Sequence, residues 1–310
     1  MLSKTLLMAG AIIASLSLVA CSDDENTDPG NNANGNTNTS TTGKLTLAVT
    51  DAPIDTATSV VVQFDGVEVK PMSGDSITFD YDEPRSIDLL ALHGGDVALL
   101  LEDETVPKGE YDWVRLMITT DEVETFSNIT FDDGSMYPLF IPSGAESGLK
   151  LNGGFTVPAG GDIALTLDFN LRKSIRAPGN MPMYYIMRPT IRLVDNSKVG
   201  TITGNVENKL ITPDCTPAVY IFEGADITPD DVDDVAGDID PVSSSLVTMN
   251  AEGVREYTAA FLPAGDYTVA YTCDAALDNP VTDDDLSFIS TNAVVTAGEE
   301  TIIHCSCEME

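Results

Sequence analysis

Hydrophobic and polar residues alternate along most of the chain beyond residue 43. Leu45, Leu47 and Val49 are separated by single residues, and this period of two is that of a half-buried β-strand. Similar runs lie at residues 60–69, 111–119, 135–141, 162–169 and 184–194. Beyond residue 198 they lie at 199–206, 218–222, 256–261, 266–272, 293–296 and 301–304. The pattern predicts an all-β protein.

Turn residues separate many of these runs. They are Asp65-Gly66, Asp133-Gly134, Pro142-Ser143-Gly144, Gly153-Gly154 and Gly160-Gly161, which are typical of tight turns between strands. Residues 87–101 have some helical character, but Gly94-Gly95 divides them, so we expect only a short turn of helix there. Many short strands between such turns favour a sandwich architecture.

The first twenty residues have the pattern of a secretory signal peptide. Lys4 provides the positive start, and the apolar run from Leu6 to Val19 is shorter than a membrane span of about 20 apolar residues. The run ends in Leu18-Val19-Ala20-Cys21, which resembles the bacterial lipobox. This resemblance implies that Cys21 is acylated after cleavage and anchors the protein through several acyl chains. An ordinary signal peptide with an incidental cysteine is the alternative.

The residues after Cys21 bear on where the protein is anchored. Ser22 stands where Asp would favour retention in the inner membrane, so the lipobox resemblance implies the outer membrane. Residues 22–42 contain no large apolar side chain, and such a segment cannot bury enough surface to fold. We therefore expect residues 21–42 to be a lipidated cysteine and a disordered tether, with a mean reach of about 25 Å.

The strand pattern restarts after residues 195–198. We predict two consecutive antiparallel β-sandwich domains, at residues 43–197 and 198–310. The halves share a phrase, Pro107-Lys108-Gly109-Glu110-Tyr111 in the first and Pro263-Ala264-Gly265-Asp266-Tyr267 in the second. Each phrase is a Pro-x-Gly turn that leads into a strand, so it indicates architecture rather than chemistry.

The chain is strongly acidic, with 50 acidic and 15 basic residues and a formal net charge of -35. Residues 199–310 hold 22 of the acids and 2 of the bases, which gives this half a net charge of -20. Because phosphate binding needs a basic surface, nucleic acid is excluded as a partner.

Several blocks of the first half resemble, in order, those of one bacterial envelope family. They are residues 50–53 (TDAP), 87–92 (IDLLAL), 109–116 (GEYDWVRL), 138–151 (PLFIPSGAESGLKL), 168–175 (DFNLRKSI) and 188–192 (RPTIR). The family is domain of unknown function 4382, which is typical of lipoproteins and implies no activity. In the second half, residues 261–269 (FLPAGDYTV) are similar to transthyretin-like, carboxypeptidase regulatory-like sandwiches. That similarity implies an accessory or binding module.

Four cysteines lie in the second half, and an even number in an exported domain predicts disulfides. They are Cys215, Cys273, Cys305 and Cys307. Cys305 and Cys307 would face the same side of one strand, so we expect each to reach one of Cys215 and Cys273, in an order that the sequence leaves open. A metal site formed by His304, Cys305, Cys307 and a fourth ligand is the alternative.

Aspartates are dense in two stretches of the second half. The candidate metal ligands are Asp230, Asp231, Asp233, Asp234, Asp238 and Asp240, together with Asp283, Asp284 and Asp285. We predict no cofactor, although these acids could bind calcium, which needs about six to eight oxygen ligands. Their spacing does not match an EF-hand loop. A solvated acidic surface that maintains solubility is the favoured alternative.

Basic residues concentrate only at residues 172–176, with Arg188 and Arg192 nearby in sequence. They could bind a carboxylate or an anionic glycan, but pairing with neighbouring acids is the favoured interpretation. The small-residue loop at 142–148 is the other candidate contact surface, because loops on sandwiches often bind ligands. The candidate binding residues are Ser143, Glu146, Ser147, Lys150, Arg172 and Lys173.

The sequence contains no Gly-x-Ser-x-Gly, His-Glu-x-x-His or P-loop motif. His93 and His304 have no motif neighbour, so each is interpreted as structural. Trp113 could stack on a sugar, but its apolar neighbours predict a buried position. We therefore predict no catalytic residue and no enzyme.

These observations predict a lipoprotein anchored to the outer membrane, which acts as a non-catalytic binding or scaffolding module of the cell envelope. It would contact the membrane through its lipid and an envelope protein or glycan through its folded part. One alternative is a calcium-stabilised surface adhesin, in which acids of residues 226–240 and 283–285 converge. The other is an envelope hydrolase, which needs a pocket that joins His93 to carboxylates of perturbed pKa.

Overall fold

Strands make up most of the structure, as the alternation predicts. The computed structural model describes residues 40–52, 57–142, 148–179, 182–233 and 239–306. Thr39–Glu310 form one compact unit, and its strands fall into two sets on either side of a 3-10 helix at Asn196–Lys198. The sets separate where the strand pattern restarts. That they are independent domains stays a prediction.

The first set contains twelve strands among the described residues. They are β1 (Thr42–Ala52), β2 (Ala57–Pro71), β3 (Ile77–Asp88), β4 (Ala98–Pro107), β5 (Gly109–Thr119), β6 (Asn128–Phe131), β7 (Met136–Phe140), β8 (Leu149–Val157), β9 (Asp162–Asn170), β10 (Ile175–Arg176), β11 (Tyr185–Met187) and β12 (Thr190–Asp195). One sheet has the order β12-β9-β1-β4. The other has the order β10-β11-β7-β6-β2-β5-β8, with β3 beside β2.

An apolar core lies between these two sheets. Leu45 and Leu47 of β1 pack in it with Phe64 of β2, and all three side chains are fully buried. Tyr111 of β5 stacks on Phe155 of β8, with 4.7 Å between the ring centroids. Because alternate residues of each strand enter this core, the period of two in the sequence sets which face is buried.

The second set follows with eight strands in the described part of the chain. They are β13 (Val199–Asn205), β14 (Ala218–Glu223), β15 (Ser243–Leu246), β16 (Thr248–Met249), β17 (Arg255–Pro263), β18 (Gly265–Thr272), β19 (Phe288–Val295) and β20 (Glu300–Ile302). They form one sheet of order β16-β17-β13-β20 and another of order β15-β14-β18-β19. The ladders are antiparallel except for β1–β9, β7–β11 and β13–β20, which are parallel.

The sheet β15-β14-β18-β19 is covered on both faces. Ile221 and Val269 point toward the facing sheet and join the core between the two. The opposite face carries a second apolar cluster, which we call the outer core. Its buried members are Ala218, Tyr220, Phe222, Val232, Ala270 and Ala275. Two long connections, one before β15 and one before β19, supply Val232 and Ala275 to this face.

Helical segments are short among the described residues. One α-helical turn, α1, spans Leu171–Ser174. Further 3-10 turns lie at Leu89–Gly95, Asn208–Leu210 and Ala275–Leu277. The short helical turn predicted within residues 87–101 is confirmed, and the Asp88 side chain caps it by accepting a hydrogen bond from the Leu90 N–H at 3.2 Å.

Two predicted turns lie inside strands instead. β2 continues through Asp65-Gly66 with a bulge between Phe64 and Gly66. A Cβ at Gly66 would lie 2.4 Å from the Phe79 carbonyl oxygen, so this glycine allows a close approach of β3 rather than a turn. Gly153-Gly154 likewise lies within β8. Sequence reasoning also missed β3 and β4, whose charged residues interrupt the alternation.

The shared Pro-x-Gly phrase has the same geometry in both halves. The Tyr111 hydroxyl donates to the Pro107 carbonyl oxygen at 2.8 Å, and the Tyr267 hydroxyl donates to the Pro263 carbonyl oxygen at 2.7 Å. Each bond spans a turn at which the chain passes from one sheet to the other, β4 to β5 and β17 to β18. Both are tyrosine corners, so the phrase is architectural in each half.

Candidate functional site

Arg172 of α1 belongs to the first half, and its side chain contacts residues of the second half. The Asn170 side chain caps α1 by accepting a hydrogen bond from the Lys173 N–H at 3.0 Å. This cap ends β9 and turns the next residues toward the outer core. The Arg172 side chain is only 5% exposed, so its charge must be balanced by groups inside the protein.

The groups that balance Arg172 come from the second half. Its guanidinium donates to the Tyr220 hydroxyl at 2.7 Å and forms an ion pair with Asp278, whose side chain is fully buried. The Tyr220 hydroxyl also donates to the Asp278 carboxylate. A third donor, the Val232 N–H, reaches the other Asp278 oxygen at 3.4 Å. The pair is therefore embedded in a hydrogen-bonded network, as a buried ion pair requires.

Two acidic loops meet beside this network. Oxygens of Asp231, Asp278 and Asp284 lie within 4.8 Å of one another, and so do oxygens of Asp230, Asp231 and Asp283. The Asp284 N–H donates to the Asp231 carboxylate at 2.8 Å. We call Arg172, Tyr220, Asp231, Asp278 and Asp284 the junction cluster. The convergence expected of the adhesin alternative is thus present for part of the predicted set.

Asp231 belongs to both trios and is only 3% exposed. The pKa of Asp231 is raised to about 6, chiefly by burial, with the Asp284 N–H lowering it and the nearby carboxylates of Asp233, Asp278 and Asp230 raising it. Each trio offers one oxygen per residue, which is fewer than the oxygens that calcium takes. A calcium site at this position therefore stays a prediction.

The other predicted acids have different surroundings. Asp233 is buried, and its N–H donates to the Asp240 side chain at 3.3 Å. Asp285 is exposed and belongs to neither trio. Asp234 and Asp238 lie outside the described residues. Fewer of the predicted aspartates therefore converge in space than cluster in the sequence.

Three of the five basic residues, Arg172, Lys173 and Arg192, form ion pairs with acids, in agreement with the favoured interpretation. Lys173 binds Asp240 at 2.5 Å, and Arg192 pairs with Asp168 across β12 and β9. Burial raises the pKa of Asp168 in spite of this pairing. Because these carboxylates already neutralise their charges, Arg192 and Lys173 do not form an exposed anion-binding surface.

The described residues of the predicted binding loop have different surroundings. Lys150 is an exposed residue of β8, with its ammonium 4.8 Å from the Trp113 ring centroid. Arg172 and Lys173 pair with acids of the second half, and a binding surface that they share with Lys150 stays a prediction. Ser143, Glu146 and Ser147 lie outside the described residues. Trp113 is buried, as predicted, and the cations of Arg115 and Lys150 lie over its ring.

A cavity of about 480 Å³ adjoins the junction cluster. The first half contributes residues 172 and 175–177, and the second contributes residues 275–281. Sequence reasoning missed Tyr220 and Asp278, because the partners of Arg172 lie 48 and 106 residues away in the chain. The one signal was Arg172 itself, one of the few cations of an acidic chain.

The cysteines pair differently from the expectation. Cys215 and Cys273 form a disulfide with each other, so the pairing of Cys305 and Cys307 with them was wrong. The ladder of β14 and β18 pairs Ala218 with Thr272 and thereby brings the two bonded cysteines together just beyond it. Cys305 is a free, buried thiol, and Cys307 lies outside the described residues.

The metal alternative at His304 and Cys305 finds no matching geometry among the described residues. The two side chains point in opposite directions, since His304 is exposed and Cys305 is buried. The His304 Nδ1 accepts a hydrogen bond from the Asn205 N–H at 3.1 Å. Burial raises the pKa of the Cys305 thiol to about 12, which disfavours the thiolate that metal binding needs.

His93 is exposed on the 3-10 turn at Leu89–Gly95, and its Nδ1 lies 3.0 Å from the Leu90 carbonyl oxygen. It lines a cavity of about 410 Å³ that also contains Glu256 and Tyr257. Glu256 accepts a hydrogen bond from the Asn250 side chain at 2.8 Å. The hydrolase alternative requires several carboxylates around His93, and this cavity supplies one.

The first half matches a known family. Residues 42–189 match the family model described as Domain of unknown function (DUF4382). This part of the chain is a DUF4382 domain. The family resemblance predicted for residues 43–195 is thereby confirmed. The DUF4382 domain includes Arg172, whereas Tyr220, Asp278 and the rest of the junction cluster lie outside it.

Several solved structures are similar to the chain at low identity. The leucine-rich repeat protein from Bacteroides thetaiotaomicron is 14% identical, with 87% of this chain and 27% of that chain covered and a TM-score of 0.21. The minor pilin GBS52 from Streptococcus agalactiae is 11% identical, with 84% and 93% covered and a TM-score of 0.20. The fimbrial anchor protein Mfa2 from Porphyromonas gingivalis is 12% identical, with 78% and 82% covered and a TM-score of 0.17. Such scores give no information on ligands.

No curated protein matches the chain. Within the described ranges, none of the helices has the length and apolar character needed to span a membrane.

Proposed function

We propose that this protein is a lipoprotein of the outer membrane that acts as a non-catalytic binding or scaffolding module of the cell envelope. The observation that carries the proposal is Leu18-Val19-Ala20-Cys21 at the end of a short apolar run. The polar segment at residues 22–42 would hold the folded part away from the membrane. The partner would be an envelope protein or a glycan.

The surroundings of the two histidines support a non-catalytic role. His93 Nδ1 contacts a backbone carbonyl oxygen, and His304 Nδ1 accepts from a backbone N–H. Arg172 and Lys173, which could have bound an anionic substrate, are paired with Asp278 and Asp240. A general acid or base needs a free group within reach of the substrate, so these arrangements favour a structural use of the charges.

Metabolic labelling with palmitate tests the anchor. We expect label in the full chain and none in Cys21→Ser, whereas Cys305→Ser keeps the label because its thiol is buried. Density fractionation of the envelope then tests location: the wild-type chain should sediment with the outer membrane, and Ser22→Asp should shift it to the inner membrane. Equal labelling of the wild type and Cys21→Ser would refute the lipid anchor.

A second candidate, a calcium-stabilised adhesin, is favoured by the convergence of the two acidic loops at Asp231. Calcium bound only to the folded state would raise the melting temperature by mass action. The measurement compares EDTA with millimolar calcium or magnesium at matched ionic strength, in the wild type and in Asp231→Asn. A rise that is specific to calcium and lost in the variant supports the adhesin, and equal melting under all conditions removes it.

A further inference from the structure

One sheet edge in the second half lacks the protection that the other edges have. An edge strand presents unpaired backbone groups, and proteins protect such edges with charges, proline or short strands. Among the described residues, β10, β15, β16 and β20 are edges of at most four residues. The longer edges β3, β4, β8 and β12 carry charged side chains. β19 is eight residues long, ends its sheet and carries no charge.

The uncharged stretch extends beyond β19 itself. Residues 286–298 contain no Asp, Glu, Lys or Arg, although the chain has 21% charged residues. They also contain no proline, and β-branched residues supply much of the strand. Such a segment pairs readily with another strand.

The direction of the free backbone groups follows from the neighbouring strand. The Asp266 carbonyl oxygen accepts from the Gly224 N–H at 2.8 Å, so this residue of β18 faces β14. Because backbone groups alternate along a strand, Tyr267 and Val269 face β19. Their partners in the ladder are Ala293 and Thr291.

The residues of β19 that alternate with these partners point their backbone groups away from β18. They are Ser290, Asn292 and Val294. Among the described residues, the N–H groups of all three have no acceptor, and only the Val294 carbonyl oxygen has a donor, the Thr301 hydroxyl at 2.7 Å. The edge therefore offers three donors at the spacing of an added strand.

The side chains of β19 give an added strand two different faces. Ala293 and Val295 are buried at the rim of the core between the two sheets. On the other face, Asn292 is exposed and Val294 is 61% exposed. An added strand would continue the sheet with apolar side chains on the first face and small or polar ones on the second.

The negative charge of the second half determines which kind of segment the β19 edge would bind. A second copy of the chain would bring together two halves of net charge -20 each, whereas a basic segment would be attracted to this acidic surface. We infer that β19 is a docking edge for an extended, basic segment of a partner protein, which adds to the sheet as a further strand. This inference rests on the proposed binding function and identifies the part of the chain that would bind.

A short synthetic peptide tests the edge on the full chain in detergent. The probe is acetylated and amidated Lys-Thr-Val-Thr-Val-Thr-Val-Lys, and the control peptide has Glu at both ends. Hydrogen exchange at single residues should be fast at Ser290, Asn292 and Val294 in the free chain and slow at Thr291 and Ala293. The basic peptide should slow the first three by about tenfold or more, because their amides become hydrogen-bonded.

Two edge variants and one matched control distinguish strand addition at β19 from a general attraction of the basic peptide to the acidic surface. Ser290→Pro removes one outward N–H, which an edge strand tolerates, and Val294→Lys adds a protective charge. Each should weaken the binding of the basic peptide by about tenfold. Val281→Lys, at a loop residue that is 62% exposed, adds the same charge away from the edge and should leave affinity unchanged.

Several outcomes would overturn the inference. They are slow exchange at the three outward amides without peptide, equal effects of Val294→Lys and Val281→Lys, and protection that grows with protein concentration, which would make a second copy the occupant. Failure of the anchor would appear instead as lost palmitate labelling with peptide binding intact. Hydrogen exchange therefore tests peptide binding at β19 independently of the proposed outer-membrane location.

Discussion

The core of the first half and the outer core of the second half are stabilised by different interactions. The first is built from apolar side chains such as Leu45, Phe64 and Leu116, which need only shape and burial. The second surrounds the ion pair of Arg172 and Asp278, and its arginine comes from the other half. An apolar core tolerates partial loss of a contact, whereas a buried charge without its partner is strongly destabilising.

This difference shows how the halves depend on each other. Among the described residues, the apolar core of the first half is built from side chains of that half alone. The outer core of the second half requires a cation that its own residues do not provide, since its bases are Lys209 and Arg255 alone. We therefore expect changes at the junction cluster to destabilise the second half more than the first.

Arg172→Ala should have the largest effect. It leaves the Asp278 carboxylate buried without a cation and should lower the free energy of unfolding by about 3–5 kcal/mol. Urea unfolding of the oxidised protein measures the loss. The double variant Arg172→Met with Asp278→Leu removes both charges and should recover most of it. A loss below about 1 kcal/mol in the single variant would contradict the importance of the pair.

Removal of the disulfide should have the next largest effect, and it should be confined to the second half. Cys215 and Cys273 are 58 residues apart, so the double variant Cys215→Ala with Cys273→Ala should lose about 2–4 kcal/mol. Hydrogen exchange should increase in β14 and β18 while β1 and β2 keep their protection. Equal acceleration in both halves would show that they unfold together, and Cys305→Ala serves as the control for loss of a cysteine.

The tyrosine corners should give a smaller and equal effect. Tyr111→Phe and Tyr267→Phe each remove one hydrogen bond of similar length, 2.8 and 2.7 Å. Each variant should lose about 1 kcal/mol. Thermal unfolding of the two variants side by side measures the two losses of stability. A much larger loss for one of them would mean that the shared phrase supports the two halves unequally.

The smallest expected effect is a dependence on pH that comes from Asp231. Its pKa is raised from 3.8 to about 6 in the folded state, so the folded chain binds more protons than the unfolded chain between these values. The contribution of Asp231 to stability is therefore greatest below pH 4 and decreases as pH rises through 6.

Asp231→Asn removes this titration. The difference in stability between variant and wild type should change between pH 4 and 6 and be constant above pH 7. Urea unfolding at several pH values measures it, with Asp285→Asn as an exposed control. A difference that does not vary with pH would mean that Asp231 titrates normally.

Local patterns predicted much of the fold, because the period of two depends only on which face of a strand is buried. β5, β9, β14 and β18 all follow from such runs. The same reasoning failed at Asp65-Gly66, where the requirement for glycine comes from the backbone of Phe79 on a neighbouring strand. A local rule cannot contain a contact between strands, so it assigned a turn to a bulge.

The candidate site depended on the same kind of distant contact. The dense aspartates could be recognised in the sequence, and part of them do converge. Their relation to Arg172 could not be recognised, because Asp278 lies 106 residues away and has no distinguishing neighbour. The disulfide of Cys215 and Cys273 could have been derived only with the pairing of β14 and β18 already in hand.

The buried arginine also restricts how such a protein can be rearranged in evolution. A second half joined by recombination to a different first half would arrive with Tyr220 and Asp278 but without the cation that they bind. A first half moved elsewhere would carry a buried arginine with no acid to meet it. Because both exchanges carry a penalty, the residues on either side of the junction should be inherited as a matched pair.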